Sequence, residues 1–191
     1  MFAVIFEVQP RPERWDDYLG HAATLRPEVL AIDGFIANER YASLSRRGWL
    51  VSLSLWRDEK ALIRWRTHAL HHDIQAKGRS SVLADYHLRV GEIVADTGLD
   101  APPPQQRFDT TEVGAAKFVT TTERNLVPSD GGSDAFDSIS RPGHGLYLQG
   151  WPDIASAEAG IAGAPGHHRV VRIIRDYGMF ARTEAPQYFP P

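Results

Sequence analysis

No cysteine occurs anywhere in the chain. Disulfides, thiolate metal sites and thiol nucleophiles are therefore excluded, and the composition suits a reducing, cytoplasmic setting. A basic excess is also missing: 21 Lys and Arg stand against 24 Asp and Glu, for a formal net charge of −3. Nucleic-acid binders carry a clustered basic footprint, so no nucleic acid is expected as a partner. Long apolar runs are absent too. No stretch approaches the ~20 residues that span a bilayer, and no membrane association is expected. The opening MFAVIFEVQPRPERW has a short apolar run but no preceding basic region and no small-residue cleavage site. It reads as a strand and not as a signal peptide.

What is present is ordinary in bulk, with 42% apolar and 24% charged residues in 191, enough for one large domain or two small ones. Residues 2–9 alternate, with Phe2, Val4, Phe6 and Val8 on one side of a predicted strand. Trp15, Tyr18, Leu19, Ala22, Leu25 and Val29 recur at helical spacing and predict a helix over 13–31, with Pro27 near its end as a kink or an early stop. Two strands follow over 35–43 and 49–56, joined by a short polar turn. Asp58 is placed to cap a second helix over 59–77, which Gly78 ends. A fourth strand covers 86–94. The order β-α-β-β-α-β is the split βαβ arrangement, with helices on one sheet face. The other face is left apolar, and such a face calls for a partner.

Beyond a proline-rich linker the pattern partly restarts. HLRVGEIVADTGL from His87 aligns without a gap on HHRVVRIIRDYGM from His167, sharing His, Arg, Val, Ile, Asp and Gly. GWLVSLSLWRD from Gly48 likewise lies over GHGLYLQGWPD from Gly143, matching Trp56 with Trp151 and Asp58 with Asp153. The expected organisation is a first unit at 1–99, a linker at 100–115 and a degenerate second unit at 116–191. The second copy is expected to keep its first, third and fourth strands and a shortened helix over 154–162. Most of its first helix and second strand should be lost, with a short helical possibility at 134–139.

GFIANERYASLSRRGWLVSLSLWRDEKALIRWRTHALHHDIQAKGR, residues 34–79, resembles the antibiotic biosynthesis monooxygenase (ABM) domain. The matching pieces are Gly34-Phe35-Ile36, Glu39-Arg40, Trp56 with Asp58-Glu59, Trp65-Arg66, His71, Gln75 and Gly78-Arg79. The resemblance covers residues 2–98 well and 117–183 in outline. It implies an α+β fold of ferredoxin-like βαββαβ units with antiparallel sheets, of the dimeric α/β-barrel type, so that the tandem forms an internal pseudo-dimer. It also implies monooxygenase chemistry: cofactor-independent oxygenases of aromatic polyketides, haem-degrading enzymes and quinol oxygenases share the pattern. A fold with that spread does not assign a reaction.

On this resemblance the candidate catalytic residues are Trp65, whose flat indole suits stacking on a planar substrate, and His71 or His72 as a base for a phenol or hydroquinone. Arg66, Arg40, Arg79, His68 and Tyr86 are candidate substrate ligands, the arginines orienting an anionic or quinone oxygen. Glu39 and Arg40 face opposite ways on a strand, so only one reaches a cleft. His68 and His72, four apart, have two-histidine metal spacing, but no further ligand follows at metalloprotease spacing and no metal is expected. The haem-degrading branch carries an asparagine on the first strand and a ligating histidine about ten residues beyond the tryptophan. Phe6-Glu7 and Gln75 stand at those places, so haem is disfavoured and no cofactor is expected.

The partners expected are a small aromatic, phenolic or quinone-like substrate and O2. Further homodimerisation of the fused chain is left open. The alternatives are a non-catalytic ligand-binding or scaffold module and a haem-binding or haem-degrading protein. Any cleft is expected in the first unit, because the second has no counterpart of Trp65.

Overall fold

The computed structural model describes residues 1–107, 114–127, 134–183 and 185. Strand β1 (Phe2–Pro10) is followed by α1 (Trp15–Leu30), β2 (Phe35–Ser43) and β3 (Leu50–Trp56). Helices α2 (Glu59–Arg66) and α3 (Ala69–Lys77) and a π-helical turn (Gly78–Val82) then lead into the long strand β4 (Leu83–Asp96). The second unit supplies β5 (Phe118–Asn125), β6 (Asp134–Ser138), β7 (His144–Trp151), α4 (Ile154–Ile161) and β8 (His167–Gly178). The central part of the linker, 108–113, lies outside the described residues.

All eight strands close into one antiparallel barrel in the order β1-β3-β2-β6-β7-β5-β8-β4. Each half reads 4-1-3-2, as β4-β1-β3-β2 and β8-β5-β7-β6, and the halves join through β2 with β6 and β4 with β8. This is the expected α+β pseudo-dimer, and closure removes the sheet edges of both units. Two expectations need correction. The second copy keeps its second strand: residues 134–138 are β6, paired with β2 and β7, not a helical turn. A short segment turns to strand here because both neighbours offer open ladders. The second helix is also not continuous over 59–77. It breaks at Thr67 and His68, the latter taking ψ 126 as the N-cap of α3.

The lumen is the main core. Ala3, Ile5, Tyr41, Leu53, Ile93, Phe136, Leu146 and Ile173, from both units, pack there as one cluster. The apolar face left over in the first unit is thus covered by the second. β1 is apolar on both faces because its other side, Phe2 and Val8, lies under the helical layer. The repeated sequence blocks have structural counterparts. His87 Nε2 meets Asp176 Oδ1 at 2.5 Å, and His167 Nε2 meets Asp96 Oδ1 at 2.5 Å, so each copy's histidine pairs with the other's aspartate. Arg89 pairs with Glu7, and its equivalent Arg169 pairs with Glu123. Asp58 accepts from the Ala61 amide and Asp153 from the Ser156 amide, both at 2.7 Å, with nearly identical backbone angles.

The helices of the first unit pack unusually. Neither α1 nor α3 has a fully buried residue, although a helix on a sheet normally buries an apolar stripe. The space beneath them is a cleft. α1 runs through Pro27, which falls in its last turn and costs one hydrogen bond there. Among the described residues no helix is long and apolar enough to cross a membrane.

Candidate active site

The cleft encloses about 1040 Å³ between the outer face of the first unit's sheet and α1, α2, α3 and the π-helical turn. That is the size of a small-molecule site. Its floor comes from alternate residues of adjacent strands, because the pleat sends every second side chain outward. In one row, Arg40, Ser52, Phe6, Leu88 and Tyr177 stand side by side on β2, β3, β1, β4 and β8. Asn38, Ser54, Val4 and Val90 form the next. As strand alternation requires, Arg40 lines the cleft while Glu39 turns away and accepts from the hydroxyls of Ser138 and Ser140.

Trp65 hangs from α2 over this floor, packed on the cluster that contains Phe2, Trp56, Leu62 and Val90. The His71 ring stacks on the indole at 4.2 Å between centroids and 17° between planes. Its Nδ1 lies 2.9 Å from the Trp65 carbonyl oxygen. A carbonyl only accepts, so Nδ1 carries the hydrogen and the Nε2 lone pair is the free acceptor. Burial is the main cause that lowers the His71 pKa, to about 4, and the Trp65 carbonyl opposes it only in part. His71 is therefore neutral at pH 7.

Of the residues singled out from the sequence, Trp65, Arg66, Arg40, Arg79, His71, His72 and Tyr86 all line the cleft. His68 does not. It lies behind Trp65, with ring centroids 5.7 Å apart, and its Nε2 is 3.6 Å from Glu28. The helix break before α3 removes the shared face that His68 and His72 would have had. No group of three metal-ligating side chains occurs among the described residues. Gln75, ten residues beyond Trp65, lines the cleft where the haem-degrading pattern carries histidine.

Several lining residues escaped the sequence reading. Tyr18 and Leu25 in α1 looked like core. Asn38 donates to Ser52 Oγ at 2.8 Å and to the Leu53 carbonyl. Tyr177 and Arg182 come from the second unit, and Arg182 donates to the Tyr86 hydroxyl. The repeat marked Tyr177 only as part of β8, and nothing in the sequence marked Arg182.

The charge of the lining is one-sided. Arg26, Arg40, Arg66, Arg79 and Arg182 border the cleft, and no Asp or Glu among the described residues does, in a chain with more acidic than basic residues. Among the described residues none of these five arginines forms an ion pair with a carboxylate. Low-dielectric walls focus such a field into the cleft.

The profile of the antibiotic biosynthesis monooxygenase family matches residues 1–77. A curated relative from Pyricularia oryzae, named jasmonate monooxygenase ABM, is 42% identical over 216 aligned positions, covering 100% of this chain and 99% of its own length. The chain belongs to the antibiotic biosynthesis monooxygenase family. Solved structures similar to this ABM protein include Rv0793 from Mycobacterium tuberculosis, at 21% identity over 49% of this chain and 95% of that one, with a TM-score of 0.45. A putative monooxygenase from Lactobacillus acidophilus NCFM aligns at 8% identity over 92% of this chain and 94% of its own, also with a TM-score of 0.45.

Proposed function

We propose that this ABM-family protein is a monooxygenase of a small, largely apolar acid, bound as its anion in the first-unit cleft. The observation that carries this reading is the lining: aliphatic and aromatic walls, five arginines and, among the described residues, no carboxylate. An apolar body gains from desolvation against Val4, Phe6, Leu88 and Val90, and the arginines select the anion. Jasmonate, the substrate named for the relative that matches the whole chain, has this chemistry. One oxygen atom of O2 enters the substrate and the other leaves as water, which requires two electrons. The test is incubation with jasmonate under labelled O2, with and without ascorbate as electron donor. The expected product carries a single labelled oxygen. Unlabelled jasmonate recovered under both conditions sinks the reading.

A second reading keeps the cofactor-independent oxygenation of an aromatic, phenolic or quinone-like substrate, and the Trp65 indole in the lining supports it. A phenol can supply the two electrons itself, becoming a quinone as O2 is consumed and water is released. The arginines would favour its phenolate. His71 is a poor base for that step: moving a proton from a phenol of ordinary pKa near 10 to an imidazole of about 4 costs about 8 kcal/mol. We assign His71 the role of hydrogen-bond acceptor and leave the base to His72. Arg66, Arg79 and Tyr86 then hold substrate oxygens, and the Trp65 indole, stacked against His71, borders the substrate as part of the cleft wall. Oxygen uptake on simple hydroquinones without added reductant, lost in His72→Ala, is the expected signature. Uptake unchanged by that substitution removes His72 from the role.

A further inference from the structure

Arg40 differs from the other four cleft arginines in its surroundings. Its Nε is buried and has no hydrogen-bond partner, whereas Arg26 and Arg182 are exposed at the rim. A guanidinium with a dehydrated, unpaired N–H and no carboxylate beside it is an unfavourable arrangement unless an anion completes it. The groups around it are neutral hydroxyls, whose oxygens can accept from Arg40 while their own protons remain to be donated. The Tyr18 phenol lies against Arg40, and burial is the main cause that raises its pKa, so it remains a neutral O–H. Ser52, opposite Arg40 on β3, already accepts from Asn38 Nδ2, which leaves its own hydroxyl proton to give. Both Tyr18 and Ser52 line the cleft. Among the described residues lining the cleft no carboxylate competes there.

The position of this cradle matters as much as its chemistry. Arg40 sits on β2, two strands from Phe6 and three from Leu88 along one row. At ~4.8 Å per strand this is about 10–14 Å. Trp65 packs against the outer-face cluster around Phe2 and Val90, against which Val4 and Leu88 also pack, on β1 and β4 across the sheet from Arg40.

We propose that Arg40, with the hydroxyls of Tyr18 and Ser52, is the anchor for the substrate's carboxylate, so that the molecule lies across the sheet with its acid end at β2 and its apolar body beneath Trp65. This assignment rests on the reading of the cleft as the site of a small apolar acid, and adds which residue recognises the acid and which way the substrate points.

The test compares binding of jasmonic acid and of its methyl ester at pH 7, by tryptophan fluorescence or calorimetry, in the wild type and in Arg40→Gln, Arg40→Lys and Arg47→Gln. Arg47 is exposed and outside the cleft, so the last variant controls for net charge. The wild type should prefer the acid by about 10–100-fold, the range for hydrogen bonds to a charged group. Arg40→Gln should lose that preference by weakening the acid and not the ester. Arg40→Lys should fall between them, because an ammonium keeps the charge without the planar fork. Arg47→Gln should behave as the wild type. An acid preference that survives both Arg40 substitutions overturns the anchor while leaving the acid-substrate reading standing. Failure of the wild type to prefer the acid, including failure to bind either ligand, overturns both. Lost acid binding with the ester equally lost in Arg40→Lys assigns Arg40 a structural role and also overturns the anchor.

Discussion

Trp56 and Trp151 close equivalent strands, and Asp58 and Asp153 cap the helices that follow them, yet among the described residues only one of these two outer faces carries a wide cleft. In the second unit a Cβ on Gly160 would fall 2.2 Å from Trp151 Cη2, so the bare glycine lets α4 settle directly on the tryptophan. The Trp151 indole is fixed by a 3.0 Å hydrogen bond to Thr120 Oγ1. What remains there is a cavity of about 150 Å³ lined by residues such as Thr122, Gln149 and His168, against about 1040 Å³ in the first unit. In the first unit α1 and α3 have no fully buried residue, and the space beneath them is the cleft. The inner faces, by contrast, are shared. A duplicated fold can keep both copies of its core with a wide cleft on only one outer face, because the core is common property and each cleft depends on its own helices.

That contrast can be broken at several points. The largest effect should come from the shared lumen. Phe136 of β6 is fully buried among residues of both units, and Phe136→Ala should cost about 3–5 kcal/mol in chemical denaturation. A loss below ~1 kcal/mol would mean that the reduced unit is not part of the common core. Next comes His71, held near a pKa of about 4 in the folded chain and near 6.5 when unfolded. Between those values the unfolded state binds more protons, so stability is complete above pH 6.5 and declines as the pH falls towards 4, by roughly 3 kcal/mol. Urea titrations at pH 7 and pH 4.5 should show this difference, and His71→Gln should remove it. A pH dependence unaltered by that substitution would place the burden elsewhere.

Gly160→Ala should destabilise by about 1–3 kcal/mol through overpacking on Trp151, while turnover in the first-unit cleft stays within twofold. Falling turnover in that variant would tie the second outer face to the chemistry. The smallest effect concerns the equivalent caps. Asp58→Ala and Asp153→Ala should each cost about 1 kcal/mol, and a clear inequality would show that the two helices no longer play equal structural parts.

Much of the fold was legible because it rests on local pattern. Alternation marked β1, the short polar turn marked the pair β2 and β3, helical spacing marked α1, and the matched blocks gave the tandem, since equivalent strands keep equivalent partners such as His87 with Asp176. β6 was misread because five residues of polar character, DAFDS, carry little periodicity. Only the open ladders of β2 and β7 make them a strand. The cleft was half legible: Trp65, His71, Arg40, Arg66 and Arg79 fell in a recognisable pattern, whereas Arg26 did not. His68 was misplaced by a helix break that spacing does not reveal.

By itself the sequence determined which faces are apolar, that the chain repeats, and that thiol chemistry is impossible. These follow from composition and from short-range periodicity, which the chain carries locally. Only the tertiary structure decided that the two sheets join edge to edge into a closed barrel, that Tyr177 and Arg182 reach from the second unit to the first unit's cleft, and that five arginines meet there with no carboxylate among the described lining residues. Such facts depend on residues far apart in the chain being brought together, and on what is absent around them once they are.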